Sequence, residues 1–297
     1  MATPVPRAMR ILHVALPTAR LAACLAVASV AISWPAPAVE ASTARTVALS
    51  YDVYLGGLNI FAFDVDMTLR PGGYRVDAAG GTRGMVGWLY AWTTKLSAEG
   101  LDRDGRIEPR RYVAESDWQG NRRTVHLGFV DGGRYHLQRD PPPEPDPDID
   151  SRLPASLPGG TVDPLSLGIA AARALQQTGR CDQSLPVFDG QRRYDLTVKH
   201  VGEAVLPPNG YSIYHGPAVR CSFSVKRISG FRKSWRSGRR WDAASSAPPT
   251  IWMAQIRPDL PPVPVRYDGA IALGSIVIHL TKVRAEPTTT PDEPAEK

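Results

Sequence analysis

Few residues in this sequence are spaced for chemistry. Asp64 and Asp66 stand two residues apart, so a strand would project both from one face. Paired carboxylates can do acid–base work, but solvated strand acids are far commoner. Beyond the N-terminal leader the histidines are His126, His136, His200, His215 and His279, scattered rather than clustered. His126 and His279 fall on the polar side of predicted strands, where a lone imidazole is ordinarily a surface residue. Gly80-Gly81-Thr82-Arg83-Gly84 lacks the lysine of a phosphate-binding loop and the dinucleotide spacing, and reads as a flexible loop between strands. HExxH, CxxC and GxSxG are absent. No catalytic residue, cofactor site or metal site is assigned.

Two segments suggest binding instead. Between Lys226 and Arg240 lie seven basic residues and no acid: Lys226, Arg227, Arg232, Lys233, Arg236, Arg239 and Arg240, with Phe231 and Trp235 interleaved and Trp241 following. Arginine with tryptophan suits an anionic surface such as lipid headgroups, lipopolysaccharide phosphates or acidic glycans. The alternative is a solvated basic loop. Trp88, Tyr90 and Trp92 alternate, which places all three on one face of a strand, either lining an apolar groove or packing in the core.

The chain's start reads as an export signal. Arg7, Arg10 and Arg20 precede an apolar run from Leu21 to Trp34, and Pro35-Ala36-Pro37-Ala38 supplies small residues for cleavage. Residues 1–38 are therefore expected to be a cleavable signal peptide, with export to the periplasm. An uncleaved anchor is disfavoured because spanning takes about 20 apolar residues. Leu21-Ala22-Ala23-Cys24 resembles a lipobox, but it precedes the best apolar stretch, so lipoprotein anchoring at Cys24 is disfavoured. The whole chain has 35 basic and 29 acidic residues, net +6; loss of three arginines and no acid leaves +3. A near-neutral domain without concentrated charge argues against nucleic acid as partner. Cleavage also leaves two of three cysteines, Cys181 and Cys221. An even pair in an oxidising compartment predicts a disulfide; two buried free thiols are the alternative.

Elsewhere the chain repeats period-2 alternation, the mark of half-buried strands. Val47, Leu49, Tyr51, Val53 and Leu55 oppose Ala48, Ser50 and Asp52; Phe61 through Leu69 oppose Asp64, Asp66 and Thr68. Similar segments run near 74–78, 110–118, 125–129, 135–137, 193–201, 218–227, 251–256, 263–267 and 276–283, mostly antiparallel. One helix is signalled by Asp163 as cap, Pro164 in its first turn and Gly179 at its end, with Leu165, Ile169, Ala172 and Leu175 as an apolar stripe. Residues 39–285 read as a single β-rich domain with a Pro-rich connector at 141–148, and 286–297 as a disordered tail.

The order of motifs resembles a known family. Tyr51-Asp52-Val53-Tyr54 with Gly56-Gly57, Asp163-Pro164-Leu165-Ser166, Cys181 before Val187-Phe188-Asp189-Gly190-Gln191-Arg192-Arg193-Tyr194-Asp195-Leu196, and Gly216-Pro217-Ala218-Val219-Arg220-Cys221 are similar to the uncharacterised domain-of-unknown-function 3108 family of bacterial envelope proteins. The resemblance implies a signal-bearing protein with a curved antiparallel sheet and carries no activity. A half-barrel like that of periplasmic lipoprotein carriers, with one main helix, is the expected fold class. The leading expectation is a non-enzymatic envelope protein binding a lipid, a lipoprotein or an anionic envelope surface. A scaffolding partner of an envelope complex and a hydrolase with scattered site residues are the alternatives.

Overall fold

A computed structural model describes residues 44–144, 146–149, 152–233, 248–258, 260–271 and 273–287. The expected signal peptide, Cys24, the tail beyond 287 and Arg236, Arg239 and Arg240 lie outside the described residues. Among the described residues no helix is long and apolar enough to cross a membrane.

Among the described residues, alternation along the chain produces thirteen antiparallel strands in one sheet. An N-terminal meander comprises β1 (Arg45–Leu55), β2 (Leu58–Arg70), β3 (Gly73–Thr82), β4 (Trp92–Arg103), β5 (Arg106–Trp118), β6 (Asn121–Val130) and β7 (Arg134–Asp140). A C-terminal group comprises β8 (Gln183–Phe188), β9 (Arg193–Leu206), β10 (Gly216–Ser229), β11 (Thr250–Ala254), β12 (Val263–Ile271) and β13 (Gly274–Pro287). The spatial order is β7-β6-β5-β4-β3-β2-β1-β13-β12-β11-β10-β9-β8. A short helix, α1 (Gly84–Leu89), joins β3 to β4, and α2 (Pro164–Thr178) precedes β8.

The curved antiparallel sheet with one main helix is as expected, with two more strands than the alternation indicates. In β4 only small or modest side chains such as Leu96 and Ala98 face inward, so its pattern is faint. β8 contains Pro186, which has no N–H to donate and which an edge strand tolerates because its outward side has no partner strand to receive one.

Curvature brings the two edges together. Tyr135 on β7 meets Phe188 on β8 edge-on, with ring centroids 5.2 Å apart. The gap is sealed by the segment leading into α2. Val162 N donates to Pro186 O and Val162 O accepts from Phe188 N, both at 3.0 Å, while Leu157 N donates to Gly133 O at 2.7 Å. The Asp189-Gly190 turn locks this seam. Asp189 Oδ1 accepts from Gln191 N at 2.8 Å and Arg192 N at 2.5 Å. Gly190 has φ +85°, and a Cβ there would lie 2.5 Å from Val125 Cγ1 on β6. The most specific stretch of the family resemblance is therefore a structural turn.

Three expectations need correction. The strand expected to carry Trp88, Tyr90 and Trp92 does not run through all three: α1 (Gly84–Leu89) includes Trp88, because Gly84 turns the chain at φ +57°. Trp88, Tyr90 and Trp92 consequently share no strand face: Trp88 is 83% exposed, Tyr90 leads out of the helix, and Trp92 starts β4 half-buried. Gly80, Gly81 and Thr82 end β3 in register with β2 rather than looping. A Cβ on Gly80 would meet Phe63 Cβ at 2.6 Å and a Phe61 ring atom at 2.8 Å, so the missing side chain makes room for those rings. Finally, His279 is buried, not superficial.

Candidate functional site: an apolar trough beneath helix α2

Helix α2 lies in the hollow of the sheet and is pinned at three places. At its start, Asp163 Oδ1 accepts from Leu165 N and Ser166 N, each 2.9 Å. Ser166 Oγ donates to Asp163 Oδ2 and accepts from the Tyr74 hydroxyl, the latter at 2.6 Å. Asp163 and Ser166 are wholly buried. Burial pushes the Asp163 carboxyl above its ordinary range, and the Ser166 hydroxyl and the two N–H donors oppose that rise. Farther along, Arg173 Nε donates to Asp102 Oδ2 at 2.6 Å and Gln177 Nε2 to Asp104 O at 3.0 Å. Beyond the left-handed cap at Gly179, the sulfurs of Cys181 and Cys221 lie 2.08 Å apart, a disulfide that ties the helix exit to β10. Such a bond belongs to an oxidising compartment.

The helix is too slender to fill the hollow. Ile169, Ala172 and Leu175 point into the core, yet space remains along the helix. One cavity of about 250 Å³ is bounded by Leu49, Tyr51, Phe63, Val65 and Met67 of the sheet and by Leu165 and Ile169 of the helix. A second, of about 260 Å³, lies toward Leu196, Val198, Phe223 and the disulfide. Pro164, Gly168, Ile251 and Pro264 border both. A Cβ on Gly168 would meet nothing within 4 Å. The two spaces thus form a nearly continuous apolar trough.

One end of the trough is polar. Leu69, Arg173 and Pro261 also border a hollow of about 460 Å³ that includes Arg45 and Arg70. Asp102 and Asp104 line the same hollow, so the apolar run ends among charges of both signs, an arrangement that can hold an amphipathic molecule with a polar head. Spacing marks the apolar walls Leu49, Tyr51, Leu165 and Ile169, but not the space between them or the charged mouth at Arg45, Arg70 and Arg173.

The other candidates disperse. Asp64 and Asp66 are exposed on the sheet's outer face, and Asp64 accepts from Ser50 Oγ at 2.6 Å. Within the basic segment, Arg232 pairs with Asp146 of the Pro-rich connector at 3.4 Å, and Lys233 N donates to Asp148 O at 2.6 Å. Arg227 lies over the Phe231 ring, and Lys226 is exposed. Among the described residues no group of histidine, cysteine and acidic side chains could hold a metal ion.

His279 lies on the outer face between Asp52 of β1 and Arg266 of β12 in the strand register. Tyr211 stacks on its ring at 5.7 Å and Tyr54 meets it edge-on at 5.8 Å. Its Nδ1 is buried without a hydrogen-bond partner among the described residues. Burial lowers its pKa, the Arg266 charge lowers it further, and Asp268 and Asp52 oppose this. An imidazole with a depressed folded pKa adds stability above its ordinary value of about 6.5 and loses it as pH falls. The urea midpoint should therefore drop between pH 7.5 and 5.5 in the wild type and drop less in His279→Phe. Equal drops would show that this ring does not couple to folding.

A curved antiparallel sheet nearly closed around a helix, with an apolar hollow between them, defines a barrel-like β protein. The chain belongs to the family described as "Protein of unknown function (DUF3108)", whose model matches residues 50–281. Among curated proteins none matches. A solved beta-barrel-like protein of the domain of unknown function DUF1849, from Brucella abortus, is similar over 82% of this chain and 97% of its own at 12% identity, with a TM-score of 0.45.

Proposed function

We propose that this is a non-enzymatic periplasmic envelope protein that holds a lipid or another amphipathic envelope component in the trough beneath α2. The observation that carries the reading is the unfilled apolar space on both sides of Gly168. Ligand pockets span roughly 300–1,000 Å³; each cavity falls just below that range and the two together fall within it. The mouth is mixed in charge, with Arg45, Arg70 and Arg173 beside Asp102 and Asp104 and Arg173 paired with Asp102, so it suits a polar head group without fixing its charge. The hydrolase alternative lacks support from Asp64 and Asp66, which face away from the hollow.

Native mass spectrometry of protein purified from the periplasm, followed by lipid extraction, tests the reading. The wild type should carry a reproducible lipid, and Gly168→Leu should carry none because its side chain occupies the trough. The variant should also melt about 2–4 °C higher, since replacing a helix-interior glycine by leucine favours the helix by about 1 kcal/mol. A clean apo mass for the wild type, or lipid retained by a folded Gly168→Leu, would remove the proposal.

A further inference from the structure

One end of the sheet presents an exposed apolar patch. Leu58 at the start of β2, Met85, Trp88 and Leu89 of α1, Tyr90, and Trp118 at the end of β5 are all 48% exposed or more. They sit together because alternating strand directions bring the β1–β2 turn, α1 and the β5–β6 turn to the same end. Local bonds fix them as one surface. Arg83 N donates to Ile60 O at 2.9 Å, Gln119 Nε2 donates to Leu89 O at 3.1 Å, and the Tyr90 and Trp118 rings lie 6.4 Å apart.

Two independent features indicate what covers this patch. The first is charge: Arg83, Arg122 and Arg123 flank it, all exposed and in no ion pair among the described residues. In the strand register Asp117 lies opposite Arg122 and Glu115 opposite Lys95, so each nearby acid has a basic neighbour and Arg83 and Arg123 are the net positive excess. The second is continuity with the interior. Ring centroids step from Trp118 to Trp92 at 6.5 Å, to Phe61 at 5.1 Å, to Phe63 at 6.4 Å and to Tyr51 at 4.8 Å. Phe63 and Tyr51 are walls of the trough.

We infer that this end of the sheet docks on the surface of an anionic phospholipid bilayer. Trp88 and Met85 enter the interface, the three arginines meet headgroup phosphates, and the aromatic row leads from bilayer to trough. Tryptophan and tyrosine suit a boundary that is apolar on one side and wet on the other, and basic groups beside it are drawn to anionic leaflets. The route inward rests on the trough reading; the docking surface does not.

Co-sedimentation of the purified protein with vesicles tests it, using mixed phosphatidylcholine–phosphatidylglycerol vesicles against phosphatidylcholine alone. The wild type should bind the mixed vesicles more tightly, and added salt should weaken that binding. Met85→Ser/Trp88→Ser should bind about tenfold less tightly. Arg122→Ala/Arg123→Ala should lose about fivefold per arginine. Both variants change exposed side chains and should melt as the wild type does. Wild-type binding by both variants, equal binding to neutral vesicles, or Trp88-dependent self-association without vesicle binding would each overturn the docking surface. Lipid extraction separates the two ideas. Protein that carries lipid but ignores vesicles overturns docking alone, whereas vesicle binding by protein that never carries lipid supports docking and overturns the trough.

Discussion

Replacing both Cys181 and Cys221 by alanine should destabilise the protein by about 4 kcal/mol. The bond closes a loop with a sequence separation of 40, and a loop of that size removes roughly this much free energy from the unfolded ensemble. For a domain of this size the thermal midpoint should fall by about 8–16 °C. Packing adds to the effect, because Cys181 and Cys221 are 1% and 0% exposed within a cluster that includes Ala172, Leu175, Val187 and Met253. The same burial makes the bond hard to reach. Reductant alone should leave it intact in native buffer and cleave it only when urea is present, as alkylation and mass measurement would register. Labelling of both cysteines in denatured, unreduced protein would refute the bond itself, and an unchanged midpoint in the double variant would refute its contribution.

Asp163→Ala should cost about 3 kcal/mol. An N-cap side chain contributes about 1–2 kcal/mol, and its loss leaves the buried Ser166 hydroxyl, which still accepts from Tyr74, without an acceptor of its own, at about 1–3 kcal/mol. Asp163→Asn retains an acceptor for the two N–H groups and should cost less than half as much. The pH dependence carries a sign. Because burial raises the folded pKa of Asp163, its protonated form is favoured by folding. That contribution is complete below the ordinary carboxylate value and declines as pH rises. Asp163→Asn should therefore compare worst with the wild type near pH 4 and better at pH 7, read from urea midpoints. A constant gap would mean that the carboxyl titrates as it does in the unfolded chain.

How legible this molecule is in its sequence depends on what each residue's position answers to. Strands such as β1 and β2 answer to the pleat, so Val47, Leu49 and Tyr51 announce themselves by spacing. Helix α2 answers to its caps, and Asp163, Pro164 and Gly179 sit where capping chemistry requires. Trp88, Tyr90 and Trp92 were misleading because alternate spacing looks the same in a strand and in a chain that turns at Gly84. His279 has the outward parity its strand predicts, but Tyr54 and Tyr211 cover it, and no local pattern encodes a cover supplied from elsewhere in the chain. The trough is harder still: it is defined by what Gly168 does not fill, and an absence has no periodicity.

The order of strands also has a kinetic side. β1 joins two halves of the sheet, pairing with β2 on one flank and with β13 on the other, so that Arg45 lies opposite both Leu69 and Pro287. The first partner follows it immediately; the second lies at the far end of the described residues. Each half can zip from sequence-local hairpins, yet the junction between them needs one long loop closure, the slow class of event in β folding. During that interval β1 is an unpaired edge of alternating apolar residues, the kind that recruits other chains. Crowding of nascent molecules, rather than any weakness of the finished barrel, is the condition under which this protein would be lost to aggregation.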